Sequence, residues 1–374
     1  MTDVLIVARS GRALAASAHQ AGYRVHVLDC FADDDTTTVS NSIHQLQYHC
    51  EGFDKTDLVG QVKRLVSCYP EAILVVGTGF EQTPELLDSL ATIMPVFSNS
   101  ESIIHSLKDP VSLFKLLSCA SINVPEIALT RPIEPDEWLV KKIAGIGGGH
   151  VQWLSRLKLD IGTDCYYQKY IPGIVLSAIF LAKETHAILI GINEQLQSEQ
   201  FNEMPFLYKG VVKLNAIEEQ HRQNVIEIIT RITKKTGLVG LCGVDYVVAE
   251  SGEIVVLEVN PRPPSSFELY DQQGALFDAH LACFGEGEVD YQFKQNNYSK
   301  GYAIYYAQQE IQISNKIVWP DWVKDKPSVG STITEKFPVC TVHAKDKSVS
   351  NVKAVLQEQL NYIETIVMAE QHAA

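Results

Sequence analysis

A chain of 374 residues, 46% hydrophobic and 20% charged, has the length for two or three domains and enough apolar content for real cores. That excludes disordered, collagen-like and small disulfide-stapled classes. A formal net charge of −14 repels phosphate backbones, so no nucleic-acid partner is expected, although a single nucleotide in a locally basic pocket stays compatible.

Residues 3–98 alternate strand and helix signals. Val4–Ala8, Arg24–Leu28 and Ala72–Val76 read as buried strands, and Ala13–Ala21, Leu58–Ser67 and Pro84–Leu90 as helices. This alternation predicts a small parallel α/β domain. Leu113–Ala120 is helical. From about 137 to 260 the pattern turns to strands: Glu137–Lys142, Cys165–Ile171, Val175–Ala182, Ala187–Ile192, Gly243–Ala249 and Glu253–Val259. One long amphipathic helix, Glu218–Thr236, ends at Gly237. The last stretch holds strands at Tyr302–Tyr306 and Val339–His343 and a helix at Val352–Val367, a separate α+β lobe. The expected division is 1–99, 100–288 (with subdomains 100–164 and 165–288) and 289–374.

Eight cysteines, without a C-x-x-C pair, read as mostly buried thiols in a reducing compartment. The N-terminus lacks a basic flank and a cleavage site, and no apolar run approaches ~18 residues. A cytoplasmic protein without a membrane partner is expected, with a homodimer left open. Histidine spacing offers no zinc site.

The strongest chemical signal is the hairpin Gly243–Val248 and Ile254–Arg262, turned at Glu250-Ser251-Gly252. Glu258 and Asn260 share one face by strand alternation, and Asp245 across the turn can join them. Two carboxylates and an amide oxygen are hard donors suited to Mg²⁺, with Mn²⁺ as substitute. Arg262 can hold phosphate oxygens or an acyl phosphate. A second signal is Lys141 followed by Gly147-Gly148-Gly149-His150: glycines admit phosphate to backbone N–H groups, and Lys141 adds charge. It is not a P-loop, because no G-K-[ST] follows. A third is Gln168-Lys169-Tyr170-Ile171 before a Pro-Gly turn, a strand exit whose backbone can pair with an adenine edge.

In this order the three motifs resemble the ATP-grasp superfamily over residues 105–285. The Leu-Glu-Val-Asn-Pro-Arg run ending at Arg262 is the most specific match. The resemblance implies an α/β pre-ATP-grasp lobe, two α+β subdomains clasping ATP, and a small C-terminal α+β lobe. It implies ATP and Mg²⁺ as cofactors: Lys108, Lys141, Gly147–Gly149, His150 and Gln168–Ile171 toward the nucleotide, and Asp245, Glu258 and Asn260 toward the metal. Lys141, Asn260 and Arg262 are the implied catalytic residues. The implied reaction joins a small-molecule carboxylate to an amine through an acyl phosphate. The alternatives are a bicarbonate-phosphorylating carboxylase of the purine-pathway or biotin-carboxylase type, and a nucleotide-binding module without catalysis. The chain departs from the pattern in three places. Lys108-Asp109-Pro110 replaces Asp-Lys, no acid follows the hinge, and Gly243 stands where an arginine is common. Overall the chain resembles a branch associated with one-carbon cofactor biosynthesis (pterin or furan carriers), with an amino acid as one substrate.

The substrate side is expected on loops beyond the strand C-termini of the first lobe. Arg9 and Arg12 would grip a carboxylate, Gly79 and Glu81 an amine, and Ser265 would border the acceptor pocket. A dinucleotide fold is the weaker reading, because the first loop lacks G-x-G-x-x-G. The Tyr302, Tyr305 and Tyr306 cluster is expected to pack inside the C-terminal lobe.

Overall fold

The computed structural model describes residues 1–49, 52–157, 162–197, 200–287, 289, 291 and 297–371. The run Val4–Val7 is fully buried, as a strand covered on both faces must be. It centres a five-stranded parallel sheet in the order Ser42–Gln45, Arg24–Asp29, Asp3–Val7, Ile73–Val76, Val96–Phe97. Helices Arg12–Gln20, Lys55–Cys68 and Glu85–Ala91 accompany it, so every expected element of this lobe is present.

A second sheet is small and antiparallel. Its order is Gln152–Trp153, Trp138–Lys142, Cys165–Lys169, Ile127–Ala128. The Cys165–Lys169 strand pairs with Trp138–Lys142 in full register. The passage to the next sheet therefore falls after Lys169, not at the expected 164/165, because a strand goes where its ladder partner lies.

The third sheet has eight strands, ordered Ile254–Asn260, Gly240–Ala249, Gly173–Lys183, His186–Gln197, Tyr208–Lys213, Ser299–Tyr306, Pro338–Asp346, Val323–Lys324. Helix Glu219–Thr236 packs Val225, Ile229 and Ile232 against its central strands and ends on Gly237 in the left-handed conformation. The C-terminal lobe is present, closed by helix Val349–Gln371 over its own core. It is not separate: Ser299–Tyr306 pairs with Tyr208–Lys213 and continues the central sheet. Pairing satisfies an edge that Tyr208–Lys213 would otherwise expose.

The thiols depart from expectation. Cys242, Cys283 and Cys340 are buried, Cys30 and Cys165 are half-buried, and Cys68 and Cys119 are exposed. The last two end amphipathic helices on the solvent side. Cys50 lies outside the described residues. Among the described residues no helix is long and apolar enough to cross a membrane.

Candidate active site

The three sheets meet around one cavity of about 650 Å³, within the usual range for small-molecule sites. The metal-type hairpin forms one wall. Asp245 pairs directly with Glu258, and Gly243 with Asn260. A bulge places Leu257 beside Glu258, so both line the cavity despite being adjacent. Gly243 faces Pro264 and the Asn260 side chain, so the residue expected to be arginine leaves space for the amide.

Asp245 accepts from Gln195 at 2.9 Å and from Asn260 Nδ2 at 3.1 Å. Lys108, a buried residue, donates to Asn260 Oδ1 at 2.8 Å and to Glu258. Burial and the Glu258 charge push the Asp245 carboxyl well above its ordinary range. Burial acts on Glu258 too, but Lys108 and Lys141 outweigh it and hold Glu258 low. The oxygen donors and the like-charge pressure between two half-buried carboxylates fit a hard divalent cation. Such an ion would share oxygens that Lys108 now holds. Lys108 ends helix Glu101–Lys108 because Asp109 caps the next helix, accepting from Ser112 N at 2.8 Å, and Pro110 takes its first position. The local capping therefore explains why Lys precedes Asp here.

Lys141 donates to Gln168 at 3.2 Å and lies 5.9 Å from the Tyr166 ring centroid. Burial lowers its ammonium, but Tyr166, Glu258 and Asp245 together leave it above its usual value. The glycine loop lines the cavity. Gly147 O accepts from Tyr208 N at 2.9 Å, which fastens the loop to the 206–208 segment. His150 lines the cavity, its imidazole driven down to about 4 by burial and Lys141. Gly147 and Gly148 both have positive φ, and a Cβ on Gly148 would meet the Phe206 carbonyl oxygen at 2.0 Å. Gly148→Ala is therefore expected to weaken Mg·ATP binding about tenfold and to cost about 1–3 kcal/mol. Gly147→Ala, with open space around it, should pay only for its backbone. Calorimetry and thermal melts of the two variants check this; equal effects would overturn the role of the Phe206 contact.

At the expected hinge, the Lys169 and Tyr170 amides already donate to Glu126 and Glu137. Lys169 Nζ sits 3.3 Å from Glu137 on the exterior, so it does not enter the cavity. Gln168, Tyr170 and Ile171 do line it. Tyr170 packs on Trp153, with Phe206 completing an aromatic trio that sequence spacing does not reveal. The carboxylates of the wall are Asp33, Asp245, Glu258, Glu268 and Asp325. None of these belongs to the hinge segment, in line with the missing acid.

The substrate-side residues divide. Arg9 lines the cavity, its guanidinium 5.4 Å from the Tyr48 ring centroid. Arg12 is not a free grip: it forks onto Glu268 at 2.7 and 3.0 Å and onto Asp325 at 2.7 Å. That clamp ties all three lobes. Glu81 and Gly79 lie behind the wall rather than on it. Glu81 is buried, takes Gly79 N at 2.7 Å and Arg262 Nε at 2.6 Å, and so orients Arg262 rather than an amine. Ser265 lines the cavity and pairs with the Tyr302 hydroxyl at 2.7 Å. Tyr302 and Tyr306 line it as well, contrary to expectation, while Tyr305 stays in the C-terminal core. On a strand, alternate residues take the same face.

A parallel α/β lobe, a two-sheet clasp and a C-terminal lobe around a Lys–Gly–Asp–Glu–Asn cavity define the ATP-grasp fold. Residues 107–266 match the family described as an ATP-grasp domain. An uncharacterized protein of Methanocaldococcus jannaschii is 22% identical over 284 residues, covering 71% of this chain and 68% of that protein. The L-amino acid ligase of Bacillus licheniformis superposes with a TM-score of 0.69 at 14% identity, covering 96% of this chain and 97% of that one. The biotin carboxylase domain of Hydrogenobacter thermophilus 2-oxoglutarate carboxylase gives 0.70 at 12% identity, covering 92% and 86%.

Proposed function

We propose that the protein is an ATP- and Mg²⁺-dependent ligase that activates a substrate carboxylate and joins its acyl group to an amine. One observation carries this reading: Lys108, Lys141 and Arg262 converge with Asp245, Glu258 and Asn260 in a single cavity that a glycine loop also lines. Asp245, Glu258 and Asn260 would hold Mg²⁺, which when bound neutralises phosphoryl oxygens. The 147–149 loop and His150 cover the phosphates, and Lys141 faces them. Leu139, Val175 and Leu257 offer apolar walls for adenine, and Gln168 and Ile171 its polar edge.

A carboxylate oxygen attacks the γ-phosphorus and ADP leaves. The amine nitrogen then attacks the acyl carbon and phosphate leaves. Arg262, fixed by Glu81, stabilises the tetrahedral oxyanion. No protein nucleophile is needed, since the catalytic work is positioning and electrostatics. Arg9 lines the cavity, forms no ion pair among the described residues, and would take a substrate carboxylate. The fold shared with an L-amino acid ligase supports an amino acid as one substrate. By the motif resemblance, the partner to try first is a pterin or furan cofactor precursor.

The Hydrogenobacter domain was crystallised with magnesium ADP and bicarbonate, which favours a second reading with bicarbonate as the carboxylate. A phosphate-release screen over carboxylate and amine pairs separates them. The expected result is ADP formation that needs both partners. Bicarbonate-dependent release without an amine favours the second reading. Mg·ATP binding with no release across the screen would leave a binding module, and no Mg·ATP binding sinks all three.

A further inference from the structure

The first and C-terminal lobes contribute Arg9, Ser10, Phe31, Asp33, Asp325 and Thr341 to the cavity wall. Carboxylates crowd there, and all but one are spoken for. Asp29 accepts the amides of Gly11, Phe31 and Ala32. Asp35 accepts those of Asp325 and Lys326. Asp325 takes Arg12 Nε and, at 2.6 Å, the Thr341 hydroxyl. Glu268 takes the Arg12 fork and, at 3.1 Å, Lys324.

Asp33 is the exception. It is 5% exposed, and its carboxylate has no hydrogen-bond or ion-pair partner among the described residues. It precedes helix Asp34–Val39 in the N-cap position, where aspartate normally accepts a helix amide, yet makes no such bond. Burial and the charges of Asp325, Asp29 and Asp35 push it up to about 9. An acid that burial and its acidic neighbours keep protonated, facing a cavity and unused by its own backbone, becomes the partner of a cation that enters the cavity by giving up that proton. Arg9 lines the same cavity, and its charge disfavours a compact divalent ion there relative to an organic monocation.

We propose that Asp33 is the anchor of a substrate subsite for a primary ammonium group, so that one ligase substrate is an ammonium-bearing small molecule such as an α-amino acid or a diamine. This rests on the ligase reading for the word substrate, though not for the binding itself. An amine held as ammonium by a carboxylate has no free lone pair. The group at Asp33 is therefore not the attacking nitrogen, and the substrate carries its reacting group elsewhere. Arg9, on the wall of the same cavity, suits the carboxylate of a zwitterion.

The test is calorimetry on the full chain with 1,4-diaminobutane, butylammonium and, as neutral counterpart, 1-butanol. Mg·ATP is titrated in parallel. The expected result is that the wild type binds both ammonium probes at least tenfold more tightly than butanol. Asp33→Asn should lose that preference with its Mg·ATP affinity unchanged, and Asp33→Glu should keep part of it. Asparagine matches the shape of the protonated acid, so the melting temperature of Asp33→Asn should not fall. Equal binding of the ammonium probes by wild type and Asp33→Asn would overturn the proposal, as would a wild type without the preference. Loss of Mg·ATP binding with the preference intact would instead remove the ligase reading and leave the subsite standing.

Discussion

Glu258→Gln is expected to lower ADP formation about 10³-fold, the scale seen when a preorganised charge is removed from a site of developing charge. Glu258 faces Asp245 across the hairpin and holds Lys108. The amide keeps the shape but removes the negative charge that both a divalent cation and Lys108 answer to. Without Glu258, Asp245 loses the neighbour that raises it and titrates closer to an ordinary carboxyl. The loss should appear as weaker Mg²⁺ dependence and lower turnover, with ATP still entering on its apolar walls. A matched control is Glu137→Gln, which breaks an exposed pair with Lys169 at 3.3 Å and should change neither rate nor stability measurably. Steady-state kinetics across Mg²⁺ concentrations, with melts to verify folding, decides the matter. A Glu258→Gln enzyme within tenfold of wild type would end the assignment of this hairpin to the metal.

The hairpin was legible because strand alternation is a rigid rule: residues two apart share a face, and a tight turn fixes the register. The glycine loop was legible for a related reason, since clustered glycines mark a backbone that side chains must not crowd. Lys108 could be named but not understood, because its place depends on which residue caps the following helix. The substrate side was least legible. Arg12 and Glu81 have the right chemistry for ligands, yet each is satisfied by a residue more than 180 positions away in sequence. Local pattern carries no information about such pairings. The same holds for Tyr302 and Tyr306, whose strand reaches the cavity only because it extends the central sheet. The net charge of −14 acquires a location as well: part of it is the acidic cluster of Asp29, Asp35, Glu268 and Asp325 around Arg12 and the loop that follows Asp29.

Arg12→Met is expected to destabilise the chain by about 3–5 kcal/mol at neutral pH, the range for breaking a buried ion pair and leaving its partner charged. The pH dependence identifies the cause. In the wild type, burial alone would raise Glu268, but Arg12, with His343 and Lys324, more than reverses this and holds it far below its ordinary value. A depressed carboxyl contributes stability that is present above its unfolded pKa and is lost only as the pH falls through the folded one. From pH 5 to 8 the wild-type Glu268 contribution is therefore flat. Once Arg12 is gone, burial dominates and Glu268 rises. A raised carboxyl has the opposite sign: the folded state retains a proton that the unfolded chain releases, so stability falls as the pH climbs. Asp33, pushed up to about 9, already contributes in this direction in the wild type and cancels in the difference only to the extent that Arg12 does not restrain it. Urea unfolding of both proteins between pH 4.5 and 8 should then show a stability gap that is already present at the acid end and widens further toward neutrality. A gap that is constant across this range would mean that Arg12 acts through packing of its stem, not through charge, and that the three lobes are not held together by this ion cluster.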